Sequence, residues 1–361
     1  MSSAWPTKSL GDVVGLRRGF DLPNASRVDG PYPIISAGAQ VGTHHEAKVQ
    51  GPGFAVGRAT NLGVPQWSDS DFWPLNTTLY AADFKGNDPR WLYRLFQVLD
   101  LTGFDSGSVQ PMLNRNYIAQ VPVLVPTLPE QQRIAEVLGA LDDKIAVNGR
   151  TAEFAVLLCE SLVSEVFSSA SLPLGEVAEV IMGSSPKGEY LNEVGDGVAF
   201  FQGVRDFGLL SPTRRVFATQ PVRMAQAGDV LFAVRAPVGE VNVANETTCI
   251  GRGLAALRAH ENPVSFFYTM RANSHVWNEF QGTGTVFASV NGKEVRQTRL
   301  PVIDQVAAPG VEERVSAMHA RALGALAENE VLVKTRDELL PLLMSGKITV
   351  RDAEKRVQGV V

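Results

Sequence analysis

From Ile134 onward, apolar or small residues recur at Leu138, Leu141, Ile145, Asn148, Ala152, Ala155, Cys159, Leu162 and Val166, a 4-3-4-3 spacing. That period places them on one seam of a helix and predicts a coiled coil. The start is marked by Thr127-Leu128-Pro129-Glu130, where Thr127 with Glu130 suits a capping box and Pro129 suits the first turn. Asn148-Gly149 in mid-stripe is a hairpin signal, so a continuous helix and a break both stay open; one interior Gly costs only about 1 kcal/mol. A second, poorer stripe runs Val315, His319, Ala322, Leu326, Asn329, Val333, Arg336, Leu340 and Leu343, and stops near Ser345-Gly346. Elsewhere the apolar runs are short: Tyr32-Pro33-Ile34-Ile35, Val198-Ala199-Phe200-Phe201 and Asp229 to Val234. Bounded by Gly, Pro and Asn, they predict strands joined by turns. Shorter helices are predicted over 89–99 and 263–280.

These patterns occur twice. Leu10-Gly11-Asp12-Val13 recurs as Leu174-Gly175-Glu176-Val177, 164 residues later, each copy just before a Gly turn at Arg18-Gly19 or Met182-Gly183. Pro89-Arg90-Trp91-Leu92-Tyr93 has its counterpart in Pro263 to Tyr268. Gly107-Ser108-Val109 with Asn114 matches Gly284-Thr285-Val286 with Asn291 at an offset of 177, and Gln132-Arg133-Ile134 matches Glu313-Arg314-Val315 at 181. The growing offset is that of a duplicated unit whose second copy has gained loop residues. The segments are 1–127 (globular), 128–168 (helix), 169–307 (globular) and 308–361 (helix and tail).

Length and composition narrow the class. The 361 residues allow two to three domains, and 45% hydrophobic with 20% charged residues excludes a disordered chain. Two cysteines, Cys159 and Cys249, make no disulfide framework; no basic and apolar leader precedes Trp5, and no uncharged apolar run approaches membrane-spanning length. A cytoplasmic location, with no membrane partner, is the expectation. The net charge of −5 speaks mildly against a strongly basic nucleic-acid binder, but the deficit is local: residues 128–170 carry 3 basic and 7 acidic side chains, while the other segments are nearly balanced.

No residue set makes a convincing active site. Walker A, a Gly-rich dinucleotide fingerprint and the Asn/Asp-Pro-Pro-aromatic motif of an adenine methyltransferase are all missing from the sequence. Asp29 with Glu46-Ala47-Lys48 mimics a nuclease pattern, and His44-His45-Glu46 a metal cluster. A solvated loop is the better reading of both, since further ligands at metal spacing are missing. Cys159 in the seam and Cys249 in a strand-like run read as packing residues. The expectation is no catalysis, no metal and no cofactor.

Leu128-Pro129-Glu130-Gln131-Gln132-Arg133-Ile134-Ala135, continuing through Val137 to Ile145, resembles the first conserved region of the specificity subunit of Type I restriction-modification enzymes. Leu339 to Ile348 resembles the end of the second conserved region, and Ala308 to Arg314 keeps only a trace of the Leu-Pro-x-Gln pattern. The resemblance implies an α+β fold with a pseudo-twofold internal repeat: two mixed α/β target recognition domains joined by two long antiparallel coiled-coil helices. It implies a non-catalytic subunit that binds double-stranded DNA, each domain reading half of a bipartite target. Two adenine methyltransferase subunits would dock on the helices, with an ATP-dependent restriction and translocation subunit in the restricting form. S-adenosylmethionine and ATP would belong to those partners. A rival reading keeps the recognition scaffold but places it in another phage-defence or DNA-modification system.

Bases are read by Arg, Lys, Asn or Gln on loops, because these present donors and acceptors that match base edges. The candidates are His44, Lys48, Arg58, Asn61, Gln66, Gln110, Asn114 and Arg115 in the first globular segment, and Lys187, Arg205, Arg214, Arg215, Arg235, Lys293 and Arg296 in the second. Candidate methyltransferase-docking residues are Glu130, Gln131, Arg133, Glu136, Asp142, Asp143 and Lys144 on the acidic helix. Asn148 and Asn329 occupy equivalent repeat positions near the helix midpoints. An amide pair hydrogen-bonded across an antiparallel seam would fix the helix register.

Overall fold

The computed structural model describes residues 5–101, 103–104, 112–281 and 288–359. Two units share the chain: residues 1–146 with 329–361, and residues 147–328. Each combines one globular domain with the N-terminal part of one long helix and the C-terminal part of the other.

In the first unit a four-stranded antiparallel sheet has the order Gly15–Arg18, Thr78–Asp83, Gly53–Gly57, Pro65–Ser68. A smaller sheet orders Ala39–His44, Tyr32–Ser36 and Trp73–Pro74. The helix Pro89–Val98 starts at Asp88, whose side chain accepts from the Trp91 N–H, and buries Trp91, Leu92, Leu95 and Phe96. These join Ile134, Leu138 and Leu141 of one long helix and Leu332, Leu339 and Leu343 of the other in a single core. Burying each such side chain contributes about 1.5–3 kcal/mol.

In the second unit, Ala178–Met182, Leu254–Ala259, Val230–Ala233 and Val241–Val243 form an antiparallel sheet with the same order of equivalent strands. Five short strands make a second sheet, and Pro263–Ala272 is the counterpart of the helix at 89–98. The expected helix over 263–280 divides at Asn273, beyond which Ser274–Phe280 tightens to 3-10 geometry. Its core unites Tyr268, Trp277 and Phe232 with Ala152, Val156, Cys159 and Val163 of one long helix and Val311, Val315 and Ala322 of the other.

The long helices span Leu128–Ser164 and Ala308–Met344, 37 residues each. Helix continues through Asn148-Gly149, so the hairpin signal is overridden; the stripe keeps its phase across it and buries Asn148 and Ala152. In the first unit Asp142 meets Arg336 and Ile145 meets Asn329; in the second Asn148 meets Glu328 and Cys159 meets Val315. Within each unit the partner number falls as the other rises, so the two segments run antiparallel.

Three helix details correct the sequence reading. No capping box forms at Thr127: its backbone carbonyl accepts from Glu130 and Gln131, while the Glu130 carboxylate accepts from the Trp5 indole N–H at 3.1 Å. Near its C-terminal end the second stripe buries Leu332 and Leu339 rather than their neighbours Val333 and Leu340. The two amides do not bond each other. Asn148 Nδ2 donates to Glu328 Oε2 at 2.7 Å and Asn329 Nδ2 to the Ile145 carbonyl at 2.9 Å, so each reaches across to the other helix but takes a different acceptor.

Candidate nucleic-acid interface

The candidates of the first unit separate into side chains used by the fold and side chains left to solvent. His44 is buried; its ring packs edge-on against Trp73 and its Nδ1 lies 3.2 Å from both backbone polar atoms of Val28. Its ring is therefore committed to packing within the first unit. Asn61 holds a left-handed turn and donates to the Ala37 carbonyl at 3.1 Å, and Gln66, in the strand Pro65–Ser68, donates to the Trp67 carbonyl. Lys48 is exposed but lies over the Trp73 ring and 3.8 Å from Glu46. Gln110 and the repeat match at 107–109 and 284–286 lie outside the described residues.

Arg58, Asn114 and Arg115 come together. With Arg18, Leu79, Met112, Leu113 and Asn116 they line an open cavity of about 330 Å³. Strand pairing builds it: Arg18 faces Leu79 in the sheet, and the Leu113 N–H donates to the Arg58 carbonyl at 2.8 Å. Asn114 caps the short helix Arg115–Ile118 by accepting from the Asn116 N–H. Its side-chain oxygen is thus already engaged, whereas Arg115 is exposed. Burial, and then the nearby Arg18 charge, hold the Arg58 guanidinium below its ordinary pKa. Arg18 escaped the sequence reading because strand pairing, not proximity in sequence, brings it to Arg58.

In the second unit, Arg215 is bound to Asp206 and Glu193, Arg214 to Glu246 at 2.7 Å, and Lys187 lies 3.7 Å from Glu189. The Arg296 guanidinium donates to the carbonyls of Gly292 and Val180, tying the helix Gly292–Gln297 to the strand Ala178–Met182. Both terminal nitrogens are thus engaged with backbone of the fold. Arg205, Arg235 and Lys293 are exposed, and no carboxylate among the described residues pairs with them. Among the described residues, no group of three or more His, Cys, Asp or Glu side chains could hold a metal ion.

The family model described as "Type I restriction modification DNA specificity domain" matches residues 2–153. A Methanocaldococcus jannaschii protein named as the type I restriction enzyme MjaX specificity subunit is 27% identical over 271 residues, 67% of this chain and 63% of that protein. The chain is thus similar to Type I specificity subunits, and the family model covers its first globular segment and the start of the first long helix. It spans 63% of the length of this curated relative. The crystal structure of a Type I restriction-modification S subunit from M. genitalium superposes with a TM-score of 0.68 over 95% of this chain and 97% of that one, at 16% identity, a likeness of fold.

The motif that carries the family resemblance turns out to serve the fold in large part. Gln131 is buried, and its amide accepts from the Asp88 N–H at 2.9 Å while donating to Asn87 Oδ1 and the Pro126 carbonyl. It anchors the start of the helix Pro89–Val98 to the long helix. At the same repeat position, Glu312 accepts from the Val264 and Ser265 N–H groups at 3.1 and 2.8 Å, at the start of Pro263–Ala272. There the preceding Asn262 gives no side-chain cap, so Glu312 takes over that duty. The faded second copy of the motif therefore keeps its structural function. Asp142 bridges Arg94, itself buried, to Arg336 at 2.9 Å. Gln131 and Asp142 are thus engaged within the fold; Glu136 and Asp143 stay exposed, and Arg133 lies 3.9 Å from Glu354. Lys144 is half-buried and engaged.

Proposed function

We propose that this chain is the non-catalytic subunit that reads double-stranded DNA for a Type I restriction-modification complex, with residues 1–127 and 169–307 each reading one half of a bipartite target. The carrying observation is the duplicated unit: the same four-strand order and the same helix contact, but different side chains at the solvent-facing matching positions. A scaffold repeated with its readers changed is what two unlike half-sites require, because base contacts specify while the framework only positions them. Arg58 and Arg115 in the first unit, and Arg205, Arg235 and Lys293 in the second, are the candidate DNA contacts that the fold leaves available. Nothing favours the rival system.

Two adenine methyltransferase subunits and an ATP-dependent restriction subunit are the proposed partners, and S-adenosylmethionine and ATP are assigned to them. We place the complex in the cytoplasm; no helix among the described residues is long and apolar enough to cross a membrane. For the docking face, the exposed apolar row Val147, Phe154, Leu157 and Leu158 replaces the buried Gln131 and ion-paired Asp142. Spacings of three, four and seven put these side chains on one face of the helix. Co-expression with a Type I methyltransferase and mapping of methylated adenines tests the proposal. Methylation of one split sequence only when this chain is present is expected; exchange of residues 1–127 should change one half of that sequence. An unchanged pattern, or change in both halves, would refute it. Phe154→Ser with Leu157→Ser is expected to abolish co-purification without lowering the chain's melting temperature.

A further inference from the structure

Among the described residues, the three arginines that line the first unit's cavity are not repeated at the corresponding positions of the second, whose own arginine-lined cavity is built from Arg223, Arg258 and Arg296, and the strand registers show why. Arg18 and Val56 both pair with Leu79, as Met182 and Phe232 both pair with Ala255. Arg58, two residues beyond Val56, thus corresponds to Val234, two beyond Phe232. The backbone agrees: Leu113 N–H donates to the Arg58 carbonyl, and Val290 N–H to the Val234 carbonyl at 3.0 Å. The capping residues Asn114 and Asn291 follow, so Arg115 corresponds to Gly292. Three arginines in one unit are therefore Met, Val and Gly in the other. There Val234 is buried, and a Cβ added at Gly292 would stand 3.1 Å from Met182 Cγ. Met182 and the Arg296 guanidinium, whose donors are held by the Gly292 and Val180 carbonyls, fill the place that the first unit leaves open.

We propose that the Arg18–Arg58–Arg115 cavity binds a phosphate group, supplied by the backbone of the bound duplex, an anchor whose three arginines the second unit does not repeat at the corresponding positions. The DNA source rests on the DNA-reading function proposed above. No carboxylate among the described residues pairs with these guanidiniums, and the Arg18 Nε donates to the Asn76 carbonyl over a long 3.4 Å. Leu79, Met112 and Leu113 line the same cavity and lower its dielectric, which strengthens attraction for an anion. Guanidinium forks match phosphate oxygens in pairs, and several cations together suit a tetrahedral oxyanion better than one carboxylate. Such a contact carries no sequence information but sets where the first domain stands on the duplex.

The test uses the full chain, a 30-base-pair duplex of random sequence, and inorganic phosphate. Arg18→Gln with Arg58→Gln is expected to weaken duplex binding at least about tenfold and to lower the slope of log affinity against log salt by about one. Arg115→Gln, at an exposed position, repeats the measurement should the double variant melt earlier than the parent chain. Duplex affinity and salt slope unchanged in both variants would overturn the phosphate site and leave DNA reading intact. A parent chain that binds no duplex, yet is stabilised by inorganic phosphate in an Arg18- and Arg58-dependent way, would overturn the DNA source and the DNA-reading function while retaining the site. Neither binding nor stabilisation would overturn both.

Discussion

Asp142→Ala distinguishes a residue that holds the fold from one that meets a partner. The Asp142 carboxylate lies between the Arg94 and Arg336 guanidiniums, and the Arg94 side chain is only 4% exposed. With Asp142 gone, Arg94 keeps the Gln97 side-chain oxygen at 3.1 Å, and its Nε already has no partner among the described residues. Removing one member of a buried ion pair costs about 3–5 kcal/mol, because the survivor's charge stays desolvated. The Asp142 side chain is 34% exposed, so water screens part of that and the lower end, about 3 kcal/mol, applies. For a unit of this size each kcal/mol lowers the melting temperature by about 2–4 °C, giving about 6–12 °C. Calorimetry of Asp142→Ala beside Asp143→Ala, whose side chain is exposed, measures it. Arg94→Met combined with Asp142→Leu is expected to recover most of the loss, since the buried charge is removed with its partner. A melting temperature for Asp142→Ala within about 1 °C of the parent chain, or an equal loss for Asp143→Ala, would refute the reasoning.

Glu312→Ala is expected to cost about 1–2 kcal/mol by uncapping the helix Pro263–Ala272, and Glu312→Gln less, measured by denaturant unfolding. His319, whose Nδ1 meets the Tyr268 hydroxyl at 2.9 Å, is held below its ordinary pKa by burial, with Glu312 opposing the shift. Its unfolded form binds the proton more readily, so the stabilisation is present above about pH 6.5 and is lost as the pH falls through that value toward the depressed one. His319→Leu with Tyr268→Phe is expected to flatten the stability profile between pH 7 and 5; an unaltered slope would contradict this. Arg296→Ala is expected to lower stability while leaving duplex affinity unchanged in filter binding, since its donors are held by backbone carbonyls.

The duplication, the helix stripe and the helices near residues 89 and 263 were legible because each rests on local periodicity or a repeated phrase. Two things were not. A polar run such as Leu128 to Arg133 reads as surface, yet Gln131 is buried: its amide satisfies groups at the start of a helix some 43 residues earlier in the chain, a demand that exists only once the two elements meet. Charge pairing is equally silent in sequence. Arg214, Arg215 and Arg296 share a residue type with Arg205 and Arg235, and only the folded positions of Asp206, Glu193, Glu246 and the Val180 carbonyl separate them. The Asn148 and Asn329 amides were expected to bond each other and do not: their acceptors, Glu328 and the Ile145 carbonyl, depend on a register that periodicity leaves undetermined.

The central claim is that two unlike readers share one scaffold. Selection from a fully randomised duplex library, with the full chain bound to its methyltransferase partner as bait, tests it most directly. Enrichment of two specified blocks separated by a gap of fixed length and free sequence is expected, with Arg115→Gln weakening binding and Arg235→Gln affecting one block alone. A single contiguous motif, or a pool no different from the input, would contradict it.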